Sequence, residues 1–387
     1  MYRGAGRGHG SAPMPAADPN VIVLGAGPAG LAAGACLSAR GLSHVIVERA
    51  ATVGSRWRSH YERLHLHTAK QLSALPMMPW PREVSNYPSR AQVVEYLEAY
   101  ARRFKLDPRF GLTAHDAHRD GDHWVVPTRE GGTLRARALV VATGYNRAPH
   151  TPDFEGRERF KGTVLHSGEY RNGDAYRGRR ALVVGVGNSG AEIALDLWES
   201  GASTALSARS PQHVLPRDVF GIPAQVNSVL FLSRMPTSLA DRFALAVSDR
   251  FIGDLSRYGL PRPEVGPISL LKRGRVPLMD IGTVALIKQG HVKVFPGPAR
   301  FTEDSVVFTD GRAAPFDLVV LATGYRAALD GVLRDPRGLV DDRGYPKVYG
   351  DEAAPGLYFI GYRNPITGQL HDIALEAERV ASHIAKH

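Results

Sequence analysis

The chain has 387 residues, 43% hydrophobic and 22% charged, a balance that suits a folded protein of two to three domains and excludes a collagen-like or wholly disordered chain. Lys plus Arg exceed Asp plus Glu by 48 to 38, and this net charge of +10 favours anionic partners: nucleic acid, an acidic membrane or phosphate-bearing cofactors. The one cysteine, Cys36, excludes an internal disulfide framework, a CxxC redox pair and a cysteine-rich zinc site, so a cytoplasmic protein without a metal centre is expected.

The opening residues 1–19, rich in Gly, Ala and Pro with scattered positive charge, read as a disordered basic tail. No run approaches the roughly 18 apolar residues of a membrane span. VIVL at 21–24 predicts a buried strand. It leads into Gly25-Ala26-Gly27-Pro28-Ala29-Gly30, a helical stretch and a second strand, HVIVE, at 44–48, which together make one βαβ unit. Residues 89–104 predict a helix behind a Ser cap. A second unit follows, with ALVV at 181–184, Gly185-Val186-Gly187-Asn188-Ser189-Gly190, an amphipathic stretch and a strand over 203–209. ALVVATGY at 138–145 and LVVLATGY at 318–325 also echo each other. Residues 211–282 lack an alternating pattern and read as a helical insertion in the second unit. GLYFIG at 356–361 predicts a strand before the last helix.

In each glycine loop the first glycine permits the tight turn, the second lets backbone approach a diphosphate, and the third allows helix packing. The helix start, at Pro28 and Ala29 in the first copy, then offers amides to the anion. Glu48, ending the second strand, suits an unphosphorylated ribose, with Arg49 beside it. The second unit has Arg209 at the matching place, where a guanidinium suits a 2′-phosphate. One FAD- or NAD-type site and one NADP-type site imply electron transfer from nicotinamide to flavin. Thr143, Gly144, Thr323 and Gly324, at the ends of the echoed strands, are further cofactor candidates. Cys36 lies within the first helix and reads as a packing residue.

FKGTVLHSGEY, with Phe160, Gly162, His166 and Tyr170, resembles the FxGxxxHxxx fingerprint of the flavin-containing monooxygenases, placed just ahead of the second glycine loop as in that family. The similarity is narrower with the plant YUCCA flavin monooxygenases and their bacterial relatives, through YERLHLHTAKQLSALPMMPWP (61–81), GNSGAEIALDL (187–197), HVLPRDVFG (213–221) and DIGTVALIKQGHVKVFPG (280–297). The resemblance implies an FAD enzyme that draws on NADPH, forms a C4a-(hydro)peroxyflavin with dioxygen and oxygenates a small molecule. For YUCCA-type enzymes that molecule is an aryl 2-oxo acid such as indole-3-pyruvate, decarboxylated to the arylacetic acid. Amine or sulfide oxygenation and Baeyer–Villiger insertion use the same flavin chemistry and stay open.

The resemblance also suggests His67, Lys70 and Gln71 as catalytic candidates, with His65 and His67 sharing one face if the segment is a strand. Trp57 could stack near the flavin or fill the core. His166 joins the cofactor residues, as does Leu370, at the start of a late helix facing the flavin pyrimidine. An NADPH-dependent flavin reductase passing electrons to a protein is a second reading. A nucleic-acid binder is a third, weakened by scattered charge and the absence of a recognition motif. The expected fold is α/β, with two doubly wound Rossmann-like domains. The NADPH domain (151–315, with the insertion at 211–282) interrupts a discontinuous FAD domain (20–150 and 316–387). Hinges are expected near 148–152 and 313–315, and neither nucleic acid nor membrane is an expected partner.

Overall fold

A computed structural model describes residues 19–363, 365 and 367–387; apart from Pro19, the expected tail lies outside them. Val21–Leu24 is apolar at every position and buried on both faces, which is what the middle strand of a parallel sheet requires. It pairs in parallel with His44–Glu48 on one side and Ala138–Val141 on the other. Arg109–Phe110, Leu357–Phe359 and Glu352–Ala354 complete six strands, the last of them antiparallel. Helix Pro28–Ser38, almost wholly apolar, packs on this sheet together with the C-terminal helix Gln369–Ile384. Helix Arg90–Arg103 starts on a capping box, in which Ser89 and Gln92 satisfy each other's backbone N–H groups.

The second sheet is all parallel, in the order Lys293–Phe295, Ser203–Ser207, Arg180–Val184, Leu318–Leu321, Thr163–His166. This corrects the expected boundary at 316. Leu318–Leu321 hydrogen-bonds between two strands of the second sheet, so the chain returns to the first module only after it. The crossing is a two-strand link, Ala148–Pro149 antiparallel to Tyr325–Arg326. Residues 313–315, expected to be a hinge, form an edge strand of a three-stranded antiparallel sheet instead. The stretch 211–282 carries helices Ala224–Leu230, Thr237–Phe251 and Pro267–Lys272. No helix of the described residues is long and apolar enough to cross a membrane.

Candidate active site

The first glycine loop forms an open cradle. Gly25 sits at φ +109°, and a Cβ there would lie 2.6 Å from the Ala142 carbonyl oxygen; on Gly30 it would lie 1.7 Å from that of Gly25. At Gly27 a Cβ would meet nothing within 4 Å, so this face is free for a ligand. Helix Pro28–Ser38 begins here with neither a side-chain cap nor an acid in its first turn, leaving its positive end unneutralised beside Pro28 and Ala29. The second loop repeats the geometry, with Gly185 at φ +113°, Gly187 open, and a Cβ on Gly190 2.0 Å from the Gly185 carbonyl oxygen. Both loops fit a dinucleotide diphosphate.

A cleft runs from the first cradle past Glu48, Arg49, Thr143 and Gly144 to Trp57 and Leu370. Buried Glu48 is aimed by the backbone, with Oε2 accepting from Ala26 N at 2.8 Å and Oε1 from Ala50 N at 2.9 Å. At the far end, Gly361 donates its N–H to Glu376 Oε2 (2.8 Å) and accepts from Gln369 Nε2 (3.0 Å), fixing the approach to the last helix. Leu370, in the first turn of that helix, lines the cleft.

A second cavity of 920 Å³ adjoins the cleft, and the two share Trp57, His60, Tyr145, Asn146, Gln369 and Leu370. Its walls come from residues 57–68, from Asn188 and Ser189 of the second loop, and above all from apolar side chains of the insertion. Trp57 both packs on the first core and lines the two spaces. His60 there is held neutral, its pKa pushed down to about 4 by burial and then by Arg56, Arg171 and Arg90.

His67 lines this cavity with Nε2 3.1 Å from Glu192 Oε1. The carboxylate oxygen accepts, so Nε2 carries the hydrogen, and no described residue bonds Nδ1. Segment 61–69 is not a strand. A single bridge joins His65 to Ser89, and His65 Nδ1 lies 2.6 Å from the Arg63 carbonyl oxygen, although both histidines line the cavity.

Lys70 and Gln71 turn away from both spaces. Lys70 Nζ donates to the carbonyl oxygens of Pro81 (3.2 Å), Arg82 (2.8 Å) and Val84, and Gln71 Nε2 donates to Asn86 Oδ1 (3.2 Å), so both brace a loop. His166 lines neither space either. Its Nδ1 accepts from Gly168 N (3.1 Å) and its Nε2 donates to the Gly324 carbonyl (3.0 Å), which makes it a latch on the second Thr-Gly-Tyr turn. In that turn Thr323 Oγ1 donates to the His150 carbonyl oxygen at 2.5 Å. Asn188 Oδ1 accepts from Met279 N at 2.8 Å, tying the loop to the insertion. Arg209 is exposed just past strand Ser203–Ser207 and makes no ion pair among the described residues. Burial pushes the Cys36 thiol up to about 12, in keeping with a packing role.

Sequence reasoning missed Glu192 and Gln225. Buried Glu192 accepts from the Tyr61 hydroxyl as well as from His67, joining the second module's helix to residues 61–67. Its signal was an acid two residues past Gly190, inside the buried run Gly190–Leu195 of that helix. Buried Gln225 accepts from Ala69 N (2.6 Å) and donates to the Thr367 carbonyl oxygen. Nothing in the unpatterned insertion marked it.

A family model for flavin-binding monooxygenase-like proteins matches residues 18–335. The chain is 42% identical over 351 residues to indole-3-pyruvate monooxygenase YUCCA1 of Oryza sativa subsp. japonica, covering 89% of this chain and 86% of that one. A flavin-containing monooxygenase from Stenotrophomonas maltophilia shares its structure at TM-score 0.73 and 26% identity, over 95% of this chain and 98% of that one. An oxidized steroid monooxygenase bound to NADP shares the fold at TM-score 0.76 and 22% identity, over 95% and 84% of the two chains. With two open dinucleotide cradles and a family match across most of its length, the chain belongs to the flavin-binding monooxygenase-like family and is an FAD- and NADPH-dependent monooxygenase.

Proposed function

We propose that the chain oxygenates an aryl 2-oxo acid of the indole-3-pyruvate type in the second cavity. The observation that carries this reading is that an apolar space of 920 Å³ opens onto the flavin cleft through six shared residues. The volume suits a bicyclic aromatic acid, and the insertion's apolar walls reward burial of its ring. The rice relative is named for indole-3-pyruvate, and its identity to this chain supports the same substrate class. In balance, the 2-oxo acid, dioxygen, NADPH and a proton give the one-carbon-shorter acid, carbon dioxide, NADP+ and water.

FAD is assigned to the first cleft, with its diphosphate at Gly25, Gly27 and Ala29, its ribose at Glu48 and its ring between Trp57 and Leu370. NADPH is assigned to Gly185–Gly190, with its 2′-phosphate at Arg209. Once reduced, the bound flavin activates dioxygen and supplies one oxygen atom to the substrate. The chain's own residues position and shield. Glu192 holds His67 in the Nε2–H tautomer and leaves Nδ1 to accept a proton or hydrogen bond at the cavity wall. Apolar walls exclude water, which would otherwise divert oxygen to hydrogen peroxide.

The test supplies the holoenzyme with NADPH and labelled dioxygen, and offers aryl 2-oxo acids, amines, sulfides and cyclic ketones. Labelled arylacetic acid with matching carbon dioxide is the expected product. Label in an amine or sulfide alone would redirect the substrate class, and NADPH use with no labelled organic product would overturn the reading.

A further inference from the structure

Arg56, in the short helix Ser55–Arg58, borders the flavin cleft with its Nε and Nη2 atoms buried and without any hydrogen-bond partner. Its guanidinium lies over the Tyr325 ring, the central carbon 4.4 Å from the ring centroid. Tyr325 closes the turn that follows the second module's strand Leu318–Leu321, so the cation stands where the two modules meet. The charged neighbours that act on it, Arg49 and Arg171, are also cations. The contrast with Arg58, two residues on, is informative. There Nε donates to the Val53 carbonyl (3.3 Å) and Nη2 pairs with Glu98, so the protein satisfies that guanidinium from its own atoms.

A guanidinium beside other cations, with two buried donors left unpaired, is unfavourable unless an anion arrives from outside. We propose that Arg56 binds a dinucleotide diphosphate at the junction of the two modules. A diphosphate supplies the charge and the acceptor oxygens that a guanidinium engages in pairs. A substrate carboxylate fits less well, because Arg56 borders the flavin cleft and not the second cavity. The ring of Tyr325 covers one side of the cation. This inference rests on the dinucleotide reading of the two glycine loops, and the diphosphate belongs either to FAD or to NADP(H).

The experiment compares wild type with Arg56→Met and Arg56→Lys. FAD affinity is measured by flavin fluorescence on dilution of the holoenzyme, and NADP+ affinity by titrating oxidised holoenzyme and following flavin absorbance. Arg56→Met is expected to weaken one of the two at least tenfold, with partial rescue in Arg56→Lys. Weaker FAD with unchanged NADP+ assigns the flavin diphosphate, and weaker NADP+ at full FAD occupancy assigns the nicotinamide one. The melting temperature of the full chain without added dinucleotide is expected to be unchanged or higher in Arg56→Met, because an unpaired buried cation has been removed. Affinities within twofold of wild type for both dinucleotides would overturn the proposal. So would a fall in that melting temperature or a failure to fold, either of which would make Arg56 a structural residue. A wild-type chain that binds neither dinucleotide would instead defeat the reading of the glycine loops.

Discussion

Glu376 makes a sharp test of how burial governs this fold. It is 1% exposed in the final helix, with Oε2 accepting from Gly361 N at 2.8 Å and Oε1 lacking any partner. Burial pushes its carboxyl from the ordinary 4.5 up to about 7. Between those two values the folded chain keeps a proton that the unfolded chain releases. Stability from this group is therefore fully present below pH 4.5 and falls as pH rises to about 7. At 1.36 kcal/mol per unit the loss is roughly 3 kcal/mol. Glu376→Gln is neutral throughout and keeps an acceptor for the Gly361 N–H. The burden of its extra amide hydrogens is the same at every pH, so it cancels when two pH values are compared. Urea unfolding of both proteins at pH 5 and pH 8 should show the variant gaining about 2.5 kcal/mol relative to wild type between the two, part of the loss having already occurred by pH 5. The same variant-minus-wild-type difference at both pH values would refute the reasoning.

Replacing His67 by Ala should lower product formed per NADPH and raise hydrogen peroxide while FAD stays bound, since the residue lines the second cavity and not the diphosphate cradle; unchanged coupling would remove its proposed role. Lys70→Met should cost only about 1 kcal/mol of stability, because the exposed carbonyl oxygens it leaves turn to water and that of Pro81 keeps the Val84 N–H, and should leave coupling intact, checked by denaturant unfolding alongside the product-to-NADPH ratio. For Arg209→Ala, losing a charge-assisted contact of about 1.5–3 kcal/mol should raise the NADPH KM roughly 10- to 100-fold and barely move that for NADH. Equal effects on the two nicotinamides would show that Arg209 does not read the 2′-phosphate.

The parts of this protein legible in its sequence are those whose physics is local. Val21–Leu24 and Gly25–Gly30 sit within ten residues of each other, and the contact that forbids a side chain at Gly30 is with Gly25 itself. Cofactor cradles were therefore readable twice over. LVVL at 318–321 shows the limit, because a fully apolar strand looks the same whichever sheet it enters. Only its pairing with Arg180–Val184 and Thr163–His166 moved the module boundary. Lys70, Gln71 and His166 lie outside both spaces for a related reason. Each is polar and stands in a matching motif, but Lys70 and His166 bond backbone groups, from Pro81 to Val84 and at Gly168 and Gly324, and Gln71 bonds the Asn86 side chain, contacts that no periodicity encodes.

Glu192 and Gln225 carry that logic one step further. A buried polar side chain destabilises a fold unless its atoms are satisfied, and then it specifies one arrangement over others that would leave it unpaired. Glu192 is satisfied only when the helix of the second glycine loop meets Tyr61 and His67, and Gln225 only when the insertion meets Ala69 and Thr367. The short run from Tyr61 to Ala69 thus meets the helix of the second glycine loop at one end and, through Gln225, the approach to the last helix at the other. Slippage of the insertion breaks a buried hydrogen bond at Ala69, on the same segment as His67. The geometry of the second cavity is consequently set by polar contacts between distant segments, while its apolar walls supply volume and dryness.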